Sequence, residues 1–192
     1  MKKIGITGGI GSGKSVVSEL LRLRGVPVYN ADTASKSLLM TDGALISSLK
    51  ALLGEEIYQG GTLDKKRMAS MIFADKELLE RVNALIHPAV IADFERWASH
   101  QNVPLLACES ALVFESKMNS MFDAVVMVYA PESVRLRRAV LRDGATEEQV
   151  RARMQNQLSD EEKKNISDYV IVNDDKQALV PQLQKILAKL TE

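Results

Sequence analysis

The chain has 192 residues with 25 basic and 25 acidic side chains, so its formal net charge is zero. That length suits one domain with insertions and a sizeable core, and the charge balance excludes a general nucleic-acid binder, which needs a basic excess. A lone cysteine, no apolar run near the ~20 residues that span a bilayer, and a Met1-Lys2-Lys3 start without room for a signal peptide together predict a cytoplasmic protein with no membrane partner.

The first expected element is a strand over Lys3–Thr7, short, apolar and β-capable. It leads into Gly8-Gly9-Ile10-Gly11-Ser12-Gly13-Lys14-Ser15, which reads G-x-x-x-x-G-K-S, the Walker A phosphate-binding loop. Val16–Leu23 continues as a helix. The glycines let backbone N–H groups turn inward around an anion, at a helix N-terminus whose macrodipole also favours negative charge. Lys14 then reaches the β- and γ-phosphates as a point charge, and Ser15 offers its hydroxyl to Mg²⁺. The implied ligand is a nucleoside triphosphate with its metal.

A second strand is expected over Val26–Asn30, and Asp32 follows at the edge where the phosphates lie. A carboxylate there accepts or orients the proton of an attacking hydroxyl. It also suits the N-cap of a helix starting near Ala34, and the two roles are compatible. Between Asp32 and Val103 no strand is legible. Helical runs at Ala34–Met40, Ala44–Leu53, Lys65–Phe73 and Lys76–Ser99 form an insertion larger than a simple crossover. It leaves the C-terminal end of a strand, where open α/β sheets bind ligands. His87-Pro88 interrupts the last run, predicting a kink or restart of the helix. His87 then either contacts a ligand or satisfies a freed carbonyl.

The third strand, Pro104–Glu109, ends in an acid at the place of a Walker-B-type residue. Glu109 could hold the Mg²⁺ shell through water, or simply begin a loop; Glu115 is a weaker candidate of the same kind. Cys108 lies in the apolar run Val103–Cys108 and reads as a buried structural thiol. After a fourth strand, Ala124–Tyr129, the stretch 131–167 is strongly charged, with Gly144 separating two helical segments. Arg135, Arg138 and Arg142 form one helical stripe at i, i+3 and i+7. Near transferring phosphates such a stripe offsets charge on the oxygens; otherwise it is a solvated face beside Glu132 and Asp143. Arg153 and Gln157 are expected at i, i+4 on the next helix, completing a lid that excludes water. A fifth strand, Tyr169–Val172, precedes an amphipathic helix over Gln177–Leu190, with Leu179, Leu183, Ile186, Leu187 and Leu190 on one face.

Taken together, these residues resemble the dephospho-CoA kinase family. The resemblance rests on Thr7–Ser15, Ala31-Asp32, Gly61-Thr62-Leu63-Asp64, Ile72-Phe73, Leu85-Ile86-His87-Pro88, Arg138 with Arg142-Asp143, Ala152-Arg153-Met154 and Gln157. It implies phosphorylation of the ribose 3′-hydroxyl of dephospho-CoA, a small molecule, by ATP and Mg²⁺. The implied fold is α/β, of the P-loop nucleoside triphosphate hydrolase type: a five-stranded parallel sheet flanked by helices, with a helical insertion and a lid. Residues 1–32, 103–132 and 166–192 would form the nucleotide-binding core, 33–102 the acceptor-binding insertion and 133–165 the lid. The resemblance makes Asp32 the catalytic carboxylate, assisted by Lys14, Arg138 and Arg142. Gly9, Ile10, Gly11, Ser12, Gly13, Lys14 and Ser15 would hold ATP with Arg138 and Arg142. Thr7, Asp32, Lys65 and His87 would bind dephospho-CoA, and Ser15 with Glu109 the metal.

Three positions depart from the family pattern. Asn30 replaces the first Asp of Asp-Ala-Asp, Lys65 stands where Arg is common, and Cys108–Glu115 keeps the closing Phe-Glu without the usual Pro-Leu-Leu. The rival readings are another small-molecule or nucleoside monophosphate P-loop kinase, and a regulatory nucleotide switch. The switch needs a guanine-reading Asn-Lys-x-Asp element, which Asn173-Asp174-Asp175 does not supply.

Overall fold

The computed structural model describes residues 1–191. They fall into two compact units, Met1–Asn30 with 101–191, and Ala31–His100.

The first unit holds a five-stranded sheet of β1 (Lys2–Thr7), β2 (Val28–Asn30), β5 (Leu105–Glu109), β6 (Ala124–Tyr129) and β7 (Tyr169–Val172). All neighbours pair in parallel, in the order β2-β5-β1-β6-β7. Strands of such a sheet are covered on both faces, which is why they read as continuous apolar runs rather than alternating ones. Central β1 places Ile6 beside Glu109 and Thr7 beside Met127, so the loop after β1 emerges among the carboxyl ends of its neighbours. Helix α1 (Lys14–Arg22) and helix α9 (Leu179–Thr191) supply Val17, Leu21, Leu183, Ile186 and Leu190 to one core with Ile4, Ile6, Val126, Val128 and Ile171. Gly5 leaves room on β1 for Phe122, whose ring would lie 2.6 Å from an added Cβ. Helices α6 (Glu132–Asp143), α7 (Glu147–Met154) and α8 (Asp160–Ile166) fill the charged stretch. Capping boxes at Thr146–Gln149 and Ser159–Glu162 start α7 and α8.

The second unit contains α2 (Ala31–Thr41), α3 (Gly43–Leu53), α4 (Lys65–Ala74) and α5 (Lys76–Ser99). Helix α5 packs against α2, α3 and α4. Leu38, Leu45, Leu49, Ile57, Val82 and Phe94 are among the buried side chains, and Tyr58 Oη donates to the Leu39 carbonyl at 2.7 Å. Burial raises the Tyr58 phenol above its ordinary pKa.

Four local expectations are corrected. The insertion is not wholly helical: β3 (Tyr58–Gln59) and β4 (Thr62–Leu63) form a small hairpin around Gly60-Gly61. Helix α2 begins at Ala31, directly after β2, so Asp32 lies inside its first turn and is not the N-cap. Helix α5 does not restart at Pro88 but runs through it from Lys76 to Ser99, the packing of its buried Val82, Val90, Phe94 and Ala98 offsetting the lost hydrogen bond and the ring clash of a proline. Helix α7 ends at Met154, so Gln157 lies beyond it and shares no helical face with Arg153.

Candidate active site

The Walker A loop bridges β1 and α1. Gly11 and Gly13 have φ of 79° and 94°, the left-handed region that glycine adopts without strain. Each also meets a close neighbour: an added Cβ would lie 2.2 Å from the Arg135 carbonyl oxygen at Gly11, and 2.1 Å from Asn173 Nδ2 at Gly13. Lys14 Nζ curls over its own loop and donates to the Gly8 carbonyl at 2.9 Å. Ser15 is exposed in the first turn of α1. The loop thus joins a cation, a hydroxyl and a helix N-terminus, a combination suited to a polyphosphate.

Helix α6 lies against this loop. Arg138 Nη1 donates to the Gly11 and Ser12 carbonyls, both at 3.5 Å, and Nη2 donates to the Asn173 carbonyl at 3.1 Å. Arg138 also pairs with Asp175, which Arg137 reaches at 2.7 Å. These guanidiniums, Arg138 foremost, hold the Asp175 carboxyl below its ordinary pKa. Arg142, one turn on, is bound to Asp143 at 2.7 Å, and Arg153 reaches the same carboxylate at 2.9 Å. Within the stripe, then, Arg138 touches the loop, and Arg142 belongs to a surface cluster at the end of α6.

Glu109 closes β5 beside Ile6 and is almost fully buried. Its Oε2 accepts from Asn30 Nδ2 at 3.2 Å, so the amide at position 30 suits its neighbour where a second carboxylate would repel it. Glu115 is committed elsewhere, pairing with the fully buried Lys163 at 2.9 Å and accepting from the Leu158 N–H at 2.8 Å. Of the two acids, Glu109 is the one at the sheet edge. Thr7 ends β1 fully buried, its hydroxyl without a partner among the described residues.

In the second unit, Asp32 is exposed on α2, Lys65 is exposed as the first residue of α4, and His87 is half-buried on α5. Asp64 caps α4 by accepting from the Arg67 N–H at 2.9 Å, which fixes where that helix, and Lys65 with it, begins.

Sequence reasoning passed over Asn173, whose side chain reaches Ser12 from the end of β7, and the burial of Arg135. Arg135 was visible as a stripe member, yet nothing local separates a buried guanidinium from a solvated one. A cleft of about 440 Å³ opens beside these groups, with Gly9, Arg135, Gln157 and Asp160 in its wall.

Comparison with known proteins decides the family. The family model for dephospho-CoA kinase matches residues 2–178. The chain belongs to the dephospho-CoA kinase family. Members of this family transfer phosphate from ATP, and the family's known role is the last step of CoA biosynthesis. The dephospho-CoA kinase of Bacteroides fragilis is 46% identical over 189 residues, covering 98% of this chain and 92% of that protein. A Thermus thermophilus crystal structure is 33% identical with a TM-score of 0.84, covering 99% of this chain and 96% of that one. The dephospho-CoA kinase from Campylobacter jejuni shares the fold at 23% identity, with a TM-score of 0.67 and coverage of 100% and 97%. As in other dephospho-CoA kinases, the substrate is a small molecule. No helix among the described residues is long and apolar enough to cross a membrane.

Proposed function

We propose that Gly9–Ser15 hold the phosphates of ATP, and that Asp32 accepts or orients the proton of the dephospho-CoA ribose 3′-hydroxyl for in-line attack on the γ-phosphate. One observation carries the donor half of this reading: a Walker A loop and an arginine, Arg138, meet in one unit with the guanidinium on the loop carbonyls. Lys14, which donates to the Gly8 and Gly9 carbonyls, would exchange neutral acceptors for an anionic one on turning to a γ-phosphate. Arg138 offsets charge as it spreads over the phosphoryl oxygens. Arg142 joins it where residues 133–165 close over the nucleotide and keep water from the γ-phosphate.

The Ser15 hydroxyl and the Glu109 carboxylate are hard oxygen donors, the kind Mg²⁺ takes. An ion held chiefly through nucleotide phosphates needs only one or two such protein ligands. When bound, Mg²⁺ would neutralise phosphate charge.

On the acceptor side, residues 33–102 bind dephospho-CoA, with Thr7, Lys65 and His87 assisting Asp32. Asp32 stands two residues past the end of β2, on the first turn of α2, where an acid also complements the helix dipole. Its exposure leaves it able to meet a dissolved hydroxyl. The balanced net charge argues against nucleic acid as the acceptor, and a cytoplasmic setting belongs to the same proposal. Asp32→Asn keeps the shape and removes the base. It should lower kcat by roughly a hundredfold or more while leaving ATP affinity unchanged. Retained turnover would remove Asp32 from this role.

A further inference from the structure

Both backbone groups of Ile10 are held by side chains from the charged stretch. The Ile10 N–H donates to Gln157 Oε1 at 3.2 Å, and the Ile10 carbonyl accepts from Arg135 Nη1 at 3.2 Å. These two bonds fix the peptide planes on either side of one Cα, and so the direction in which the loop enters Gly11–Ser15.

Each holder is itself held. Arg135 is 6% exposed; its Nε donates to the Ala130 carbonyl at 3.2 Å, and its Nη2 pairs with Asp160 at 2.5 Å. Glycine at position 9 leaves the guanidinium its place, since an added Cβ would lie 2.2 Å from Arg135 Nη1 and displace it. Gln157 is anchored through its neighbour, because the Leu158 N–H donates to Glu115, which pairs with buried Lys163. Lys163 in turn donates to the Ala111 carbonyl at 2.8 Å. Two chains of bonds, one from Asp160 and one from Lys163, end on the same residue.

Charge separates Arg135 from Arg138: Arg135 has Asp160 as its partner, whereas Arg138 shares the single Asp175 carboxylate with Arg137, so that group keeps a positive charge. Asp160 balances the Arg135 guanidinium at close range, so the pair brings little net positive charge to a phosphate. Its effect is on loop geometry.

We propose that Arg135 and Gln157 are positioning residues for ATP, which pre-set the Walker A loop through Ile10 so that the nucleotide meets an ordered cradle. Ordering a loop in advance removes an entropic cost from binding, and so acts on nucleotide affinity rather than on the transfer step. The inference rests on Gly9–Ser15 being the ATP site.

The test is steady-state ADP release with ATP and dephospho-CoA, together with thermal unfolding, on Arg135→Gln, Arg135→Lys, Gln157→Ala and Asp160→Asn. Arg135→Gln and Gln157→Ala should each raise KM for ATP roughly fivefold or more, with kcat within about threefold and KM for dephospho-CoA within about twofold. Arg135→Lys should not restore ATP affinity, since one ammonium cannot serve Ala130, Ile10 and Asp160 together. Asp160→Asn should shift KM for ATP the same way by a smaller factor, and with Gln157→Ala it decides the matter if the Arg135 variants fail to fold. A fall in kcat at unchanged KM, or a lowered Tm with unchanged KM, overturns the inference. Lys14→Ala is the control for the site itself. If ATP binding survives it, the ATP-site reading fails; if binding is lost there while the other variants keep a normal KM, only the positioning inference fails.

Discussion

Asn173 donates its side-chain amide to the Ser12 carbonyl across 2.8 Å, tying the residue after β7 to the Walker A loop. Gly13 lets the amide come this close. Asn173→Ala removes one hydrogen bond to the loop and should raise KM for ATP roughly three- to tenfold, read by ADP release. Gly13→Ala should do more harm, because it adds strain at a φ of 94° to an overlap with Asn173. An Asn173→Ala enzyme with unchanged KM would show that this contact does not shape the nucleotide site.

The Lys163–Glu115 ion pair predicts a different kind of variant. Lys163 is fully buried, so Lys163→Ala leaves a mostly covered carboxylate without its cation. The expected loss is about 3–5 kcal/mol in chemical denaturation. Replacing both partners by apolar residues, Lys163→Met with Glu115→Leu, should recover part of that loss, since no charge is stranded. Equal losses in the single and double variants would contradict the stranded-charge explanation.

The pattern of what the sequence reveals follows from the range of each interaction. The five parallel strands were legible because strands covered on both faces are uniformly apolar, and Walker A was legible because its geometry is encoded within eight adjacent residues. The hairpin at Tyr58–Leu63 escaped because two-residue strands have no period to detect, although Gly60 and Gly61 marked its turn. Asp32 was readable as an acid at a strand end, but its capping role depended on a helix start that the chain places at Ala31. Contacts such as Asn173 to Ser12, 161 residues apart, leave no local trace. Arg135 and Arg142 look alike on one stripe, and only the packing of α6 buries one and exposes the other.

Asp143 links the protein to acid. Arg142, then Arg153, draw its carboxyl down to about 2 from an ordinary 3.8. Between those values the unfolded chain holds a proton that the folded chain does not. The stabilisation is therefore complete above the unfolded value and is lost as pH falls toward about 2. The cluster is at the surface, so the effect is small and weakened by salt. Asp143→Asn should flatten the fall of Tm between pH 4 and 2 at low salt; an unchanged slope would contradict the assignment.

Ser18 offers a stabilising change. It is fully buried on α1 and its hydroxyl has no partner among the described residues. Ser18→Ala removes an unsatisfied polar atom and improves helix propensity, so stability should rise by about 1 kcal/mol. A loss in chemical denaturation would mean that the hydroxyl is satisfied.

The most direct test of the whole account is ADP release by the wild-type enzyme with Mg²⁺-ATP and four acceptors: dephospho-CoA, AMP, CMP and shikimate. The account predicts turnover with dephospho-CoA, little with the other three, and negligible hydrolysis without an acceptor. Turnover with AMP, CMP or shikimate but none with dephospho-CoA would contradict it.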